Sequence, residues 1–252
     1  MPPHTADTVV ERVAEALRAE ILSGAVALGS PLREEAAAER FGVSRHTVRA
    51  AFQRLVAERL AVAEAYRGVR VVSFDPDEIV ALQQLRAALE GEAVRIAGER
   101  FGAAWPEEVL APAAAVLDRL GEIAAAAPGA RPTAVSAPAV SGTEADDGTE
   151  ADDGIDADDG IEADDGIDWL EVERLHADLH RAIVAASSSP RIIEAHDALG
   201  SELLLFLLHV RPHYTLEGLI AEHRELLEAV QQRGAEAMRE HLAHSTELLL
   251  ES

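Results

Sequence analysis

The chain has 252 residues, 48% of them hydrophobic, and a formal net charge of -24, which is length enough for one large domain or two ordinary ones. No apolar run approaches the roughly 18 residues a membrane span needs, the start MPPHTADTVVERV lacks the segments of a secretory signal, and there is no Cys. A cytoplasmic chain without membrane contact is therefore expected, and any transition metal must sit on His and carboxylates.

Acidity ordinarily argues against nucleic acid, whose phosphates need positive charge, but the charge is uneven. Residues 143–168 carry 13 acids and no base, and without them -24 becomes -11; residues 1–75 carry 10 Arg and 10 acids and net to zero. Helical periodicity places helices near 8–23, 32–40 and 44–59, with strands near 61–64 and 69–73. Phe41-Gly42 ends the second of these helices, the Gly supplying a left-handed turn. Val43 plugs that turn, and Ser44 is a good N-cap for the next helix. There Val48, Phe52 and Leu55 form one stripe toward a core, so Arg45, His46, Thr47 and Arg49 occupy the exposed first turn and its neighbour. That end of a recognition helix meets base edges, and Arg can bond both acceptors of a guanine. The reading requires the guanidinium groups at 45 and 49 to project outward and not to be tied up by carboxylates of the same fold. Leu60–Glu64 and Val69–Ser73 then alternate as two strands around Tyr66-Arg67-Gly68, a wing whose Arg67 and Arg70 are placed for phosphate or minor groove.

The stretch from VVERVAEALRAEILSGAVALGSPLREEAAAERFGVSRHTVRAAFQRL to YRGVRVV resembles the GntR family of bacterial transcription regulators over about the first 73 residues. Gly29-Ser30-Pro31-Leu32-Arg33-Glu34 and Glu58-Arg59-Leu60-Ala61 depart slightly from the family pattern, and neither touches the reading helix. The resemblance implies DNA contact by Arg33, Ser44, Arg45, Thr47, Arg49 and Gly68, with His46 adjacent and Arg67 at the wing. It also implies a homodimer on a short palindromic operator.

Beyond Asp75-Pro76-Asp77, read as a hinge followed by an N-cap, helices are expected near 77–101, 106–126, 169–187, 190–211, 215–232 and 234–250. Between the second and third of these lie a Pro/Ala-rich stretch and four hexapeptide copies, TEADDG, TEADDG, IDADDG and IEADDG, at 143–166. Asp-Gly every six residues stops a helix, and only Ile155, Ile161 and Ile167 are available for burial. A disordered acidic insert over about 128–168 is expected, with a calcium-binding repeat as the alternative. The fold class is mainly α: a winged helix-turn-helix over 1–75, then an all-helical bundle over 76–252 interrupted by the insert.

DEIVALQQLRAALEGEAVRIAGERF, LHADLHRAIVAASSSPRI and EHRELLEAV…AMREHL are similar to the all-helical FCD effector domain of the FadR-type subgroup, with its R-x-x-L-E core standing as Arg86, Leu89 and Glu90. In metal-binding members an Asp and a His four residues apart, on one helix face, join two later His. Here His180 matches that His, His176 takes the place of the Asp, and Asp178 lies on another face. His223 matches a later ligand, and His241 the last, with His244 as the fallback. The implied cofactor is a divalent transition metal of the zinc, nickel, copper or iron class. The donor set is more positive than the family's, so an anionic effector could complete it. The resemblance also implies a small carboxylate effector against Arg86 or Arg95, with an acyl-CoA as a second possibility. His196, His209 and His213 have no matched role.

The function expected is a ligand-responsive, dimeric transcriptional regulator. A metalloenzyme is the first alternative: His176 and His180 have the H-x-x-x-H spacing of a zinc protease helix, but Ala177 stands where a general base would be. The second is an interaction protein acting through the acidic insert, whose carboxylates mimic DNA phosphate. On that reading deletion of 143–166 leaves the fold intact and strengthens DNA binding modestly at low salt.

Overall fold

The structure, a computed structural model, describes residues 5–64, 66–127, 166–210 and 214–250. The acidic repeats, and the calcium and phosphate-mimic readings attached to them, lie outside these residues, as do His213 and the side chain of His209.

The N-terminal part consists of α1 (Thr5–Leu22), β1 (Pro31–Leu32), α2 (Glu34–Phe41), α3 (Arg45–Ala57), β2 (Ala61–Glu64) and β3 (Gly68–Val71). Val13, Leu17 and Ile21 of α1 meet Val48, Phe52 and Leu55 of α3 in one buried core, closed by Leu60 and Val71. Gly42 at φ +63° caps α2, and its amide bonds back to the Ala38 and Glu39 carbonyls. Ser44 Oγ accepts the Thr47 amide at 3.1 Å and starts α3. The sheet is antiparallel in the order β1-β3-β2, with Pro31 opposite Arg70 and Glu64 opposite Gly68. The helix expected from residue 32 therefore begins at Glu34, because Pro31 and Leu32 pair with β3. A Pro is tolerated there because the strand lies at an edge.

The remaining elements are α4 (Pro76–Phe101), α5 (Glu107–Ala126), α6 (Trp169–Ala185), α7 (Pro190–Asp197), α8 (Gly200–Val210), α9 (Leu216–Arg233) and α10 (Ala235–Leu250). The cap of α4 is Asp75, in a reciprocal capping box with Glu78 and with Pro76 in the first turn; Pro suits that place because its missing N–H would have no helical partner. The expected helix 190–211 is two helices. The Leu199 amide closes onto the His196 carbonyl at 3.0 Å, and Gly200, a poor helix former, opens α8. Residues 167 and 168, expected in the insert, belong to the fold: Ile167 packs beside Leu120, Val172 and Leu216, and Asp168 caps α6.

α8 reads GSELLLFLLHV, apolar almost all round, because it is buried from two sides. Leu205 enters the core formed by α1 and α3, while Leu203, Phe206 and Leu207 pack on Ile79 and Leu82 of α4. Phe74 meets Phe206 edge-on at 5.7 Å, and Arg59 approaches Glu202 at 3.4 Å. Among the described residues no helix is long and apolar enough to cross a membrane.

Candidate functional site

Two regions concentrate chemistry. The first is the outer face of α2, α3 and the wing. Arg45 and Arg49 point outward, with side chains 63% and 62% exposed, but they are not free. Arg49 donates from Nε to Glu34 Oε1 at 2.8 Å and from Nη2 to Oε2 at 2.7 Å, and Arg45 donates from Nη2 to Glu35. This corrects the expectation that no carboxylate of the fold engages them. The tight turn brings the first turns of α2 and α3 together, so the acids at the start of α2 face the cations at the start of α3. Exposed pairs of this kind contribute little to stability, and both guanidinium groups stay accessible from outside. Arg54 turns the other way, to Glu11 of α1, and leaves this face. His46 is exposed, and the Ser44 hydroxyl also bonds the Thr47 hydroxyl at 2.9 Å. Arg33 stands exposed immediately before α2. At the wing tip Gly68 adopts φ +84°, and Arg67 is 78% exposed, 3.7 Å from Glu64.

The second region is a cavity inside the helical bundle, lined by His176 and His180 of α6, His223 and Glu222 of α9, His241 of α10, Arg86 of α4, and Tyr214. His176, His180 and His223 are buried, and each offers a ring nitrogen within 4.8 Å of the other two. The i, i+4 spacing puts the first two on one face of α6. His180 Nδ1 bonds Glu90 Oε2 at 2.7 Å, His223 Nδ1 donates to the Leu219 carbonyl at 2.7 Å, and His176 Nδ1 sits 3.2 Å from Glu173 Oε2. With their Nδ1 atoms so engaged, the Nε2 atoms of His180 and His223 face one another at 3.2 Å. The His241 ring lies 4.8 Å from that of His223 and stacks on His180 at 5.3 Å, its Nδ1 3.0 Å from Glu222. It is close to the three without joining their tight group, and His244 is exposed.

Burial makes these rings poor bases. Desolvation, joined by neighbouring imidazoles and Arg86, pushes His176 and His223 well below the usual histidine range. Desolvation takes His180 down to about 4 although Glu90 pulls it upward. Glu90 is held well below the usual carboxylate range: burial alone would raise it, and Arg86 and His180 outweigh that. His176, His180 and His223 are therefore neutral at neutral pH, the form that ligates metal.

Arg86 is 2% exposed. It donates from Nε to Glu90 at 2.8 Å and from Nη1 to Gln83 at 2.9 Å, while its buried Nη2 has no hydrogen-bond partner among the described residues. Arg95 does not join it. Nine residues on along α4 is half a helical rotation away, and Arg95 lies on the surface between Glu92 and Glu99. Asp178 lines a separate cleft with Arg174, Arg181 and His196, and His196 reaches toward Glu90 at 3.4 Å. The sequence reading missed the partners of the rings: Glu90, Glu173, to which Tyr214 donates, and Glu222. Glu173 carried a signal in its i, i+3 spacing from His176.

Residues 9–71 match the family model described as bacterial regulatory proteins, gntR family, and residues 156–247 match the FCD domain. An "Uncharacterized HTH-type transcriptional regulator BphR" of Paraburkholderia xenovorans is 37% identical over 103 residues, 41% of this chain and 42% of BphR, so the match spans less than half of that relative. A "Probable D-xylose utilization operon transcriptional repressor" of Paenarthrobacter nicotinovorans is 25% identical over 240 residues, covering 95% of this chain and 86% of the relative. Among solved structures, a GntR transcriptional regulator from Rhodococcus sp. RHA1 superposes with a TM-score of 0.61 at 25% identity, covering 94% of this chain and 93% of that one. E. coli McbR/YncC shares the fold, with a TM-score of 0.56 at 18% identity over 96% and 95% of the two chains.

Proposed function

This chain belongs to the gntR family of bacterial regulatory proteins and carries an FCD domain, and on that premise we propose that it is a ligand-responsive transcriptional repressor that binds a palindromic operator as a homodimer and senses a small carboxylate in its helical bundle. The family consists of DNA-binding regulators and not enzymes. Relatives named as repressors, the D-xylose operon protein and GlaR of Escherichia coli, favour repression over activation. Arg33, Ser44, Arg45, His46, Thr47, Arg49, Arg67 and Gly68 form the DNA-reading face on this reading.

The observation that carries the ligand-sensing part is the convergence of His176, His180 and His223 on one cavity with Arg86, whose Nη2 has no hydrogen-bond partner among the described residues. The donor set fits a transition metal. Two nitrogens on one zinc-like ion, each about 2.0–2.1 Å from it, stand about 3.0–3.4 Å apart, and the His180 and His223 Nε2 atoms are separated by 3.2 Å. Their lone pairs repel unless a cation lies between them. His176, His180 and His223 would hold the ion, with His241 next to them, and Glu90 and Glu173 would fix ring orientation from behind. A bound ion would act as a Lewis acid toward a carboxylate oxygen. Because every donor is a neutral imidazole, the ion's charge is left for an anionic effector, whose other oxygen Arg86 is placed to receive.

The test is metal analysis of the purified full chain, wild type against His180→Ala, followed by thermal shift with a panel of mono- and dicarboxylates with and without added zinc or nickel. Stoichiometric metal in the wild type alone and metal-dependent stabilisation by an acid are expected. Equal, substoichiometric metal in both proteins after zinc or nickel loading removes the metal from the reading. A panel without effect removes the carboxylate.

A further inference from the structure

The pairs between α2 and α3 differ from each other. Glu34 is only 32% exposed and grips Arg49 by two hydrogen bonds, whereas Glu35 is 78% exposed and meets Arg45 through one nitrogen. A guanidinium has two edges that can each form a bidentate pair, one made by Nε and a terminal nitrogen, the other by the two terminal nitrogens. Glu34 occupies the first edge of Arg49 and leaves the Nη1 end open. We propose that Glu34 is a positioning residue for DNA reading: it fixes the Arg49 fork so that its free end meets a base edge, and it disfavours duplexes that do not engage that end. This rests on the reading of α3 as the recognition helix.

Three further observations agree. The Glu34 carboxylate is held below its usual range, first by the hydrogen bonds from Arg49 and also by the charges of Arg49 and Arg45, so it remains an anion where the duplex would lie. It sits in the first turn of α2, where a helix favours negative charge. The first 75 residues carry as many acids as Arg, so this head has no surplus of positive charge with which to hold arbitrary DNA. A carboxylate facing phosphates raises the threshold for binding, and a guanine presented in register to the Arg49 fork offsets it. Arg45, loosely held, is free to exchange Glu35 for a phosphate. The two arginines thus divide the work, one set for sequence and one for position on the backbone.

The experiment uses the full chain. Wild-type protein selects from a randomised duplex pool, and wild type, Glu34→Gln, Glu34→Asp and Arg49→Ala are titrated against the selected duplex and a scrambled one over a salt series, with melting curves alongside. For Glu34→Gln the expected result is several-fold tighter binding to the scrambled duplex, a salt slope steeper by about 0.9 for one added phosphate contact, and weakened preference at the same base position that Arg49→Ala relaxes. Glu34→Asp keeps the charge but is too short to grip both nitrogens, and is expected to lose that preference without gaining scrambled-duplex affinity; it decides the matter should Glu34→Gln melt early. Unchanged base preference in both Glu34 variants, at unchanged melting temperature, overturns the proposal while leaving the recognition helix intact. A wild type that selects no sequence overturns both.

Discussion

The Nε2 atoms of His180 and His223 lie 3.2 Å apart while the Nδ1 atoms of the same rings are already committed, one to Glu90 and the other to the Leu219 carbonyl. Each ring is thereby fixed in the tautomer that turns its lone pair inward. Glu90 stands behind His180 as an orienting carboxylate, and removal of such a partner typically weakens metal binding about 10- to 100-fold. Glu90→Gln is therefore expected to lower zinc affinity by about that factor, and His180→Ala to abolish stoichiometric binding. Competition titration against a chelator measures both.

The metal-free protein should lose stability in acid. Desolvation first of all depresses the three buried imidazoles, His180 from 6.5 to about 4, so the folded chain binds fewer protons than the unfolded chain between those values. Stability is complete above the unfolded value and falls as pH drops from about 6.5 toward 4, with His180 alone accounting for on the order of 3 kcal/mol. Urea unfolding of chelator-treated protein at pH 7.5, 6 and 5 should show this decline. His180→Ala should flatten part of it.

Arg86 is buried in the lining of the cavity, with one nitrogen unsatisfied among the described residues. Arg86→Lys keeps a cation beside Glu90 but loses the fork that matches a carboxylate. It should fold, lose about 1–3 kcal/mol of stability with the missing hydrogen bonds, and bind a carboxylate that stabilises the wild type at least about tenfold more weakly, the equivalent of one charge-assisted hydrogen bond. Calorimetric titration with the best acid of the panel separates the two effects.

Leu205 belongs to α8 yet is 2% exposed within the core of the N-terminal helices. Leu205→Ala should cost about 2–5 kcal/mol, as other buried Leu truncations do, and should loosen the DNA-reading head more than the distant α5–α9 contact. Hydrogen exchange of α1 and α3 against α5 and α9 tests that distribution. Equal loss of protection in both regions would count against it.

Arg33 and Arg49 should differ in kind. Arg33→Ala is expected to weaken binding to all duplexes alike and to reduce the salt slope by about 1, as loss of a phosphate contact does. Arg49→Ala should cost about tenfold or more on the selected sequence and relax preference at one position. Anisotropy titrations on selected and scrambled duplexes distinguish them.

The winged helix-turn-helix was legible because its signals are local. Gly42 must take a left-handed conformation, Ser44 must cap, and Val48, Phe52 and Leu55 repeat at helical spacing, so the turn, start and buried face of α3 follow from neighbours in sequence. The four-residue separation of His176 and His180 was equally local. The short β1 was not legible, because Pro31 and Leu32 become a strand only through pairing with residues 69 and 70. Nor was the break between α7 and α8, which lies inside a continuous helical pattern.

Patterning by itself thus pointed to the mainly helical class and to the exposed cations at the start of α3, since periodicity and caps are properties of a segment and its immediate flanks, while the histidine set followed from the resemblance to the FCD domain. Only the packed chain decided which charges meet. It set Glu34 and Glu35 against Arg49 and Arg45, put Glu90 behind His180, turned Arg86 inward and left Arg95 at the surface. Most of these pairs join different helices, and Arg86 and Arg95 differ by a face of one helix whose buried side is chosen by its neighbours; no local rule carries that information, because the energy of such contacts depends on distances that exist only after the helices have packed.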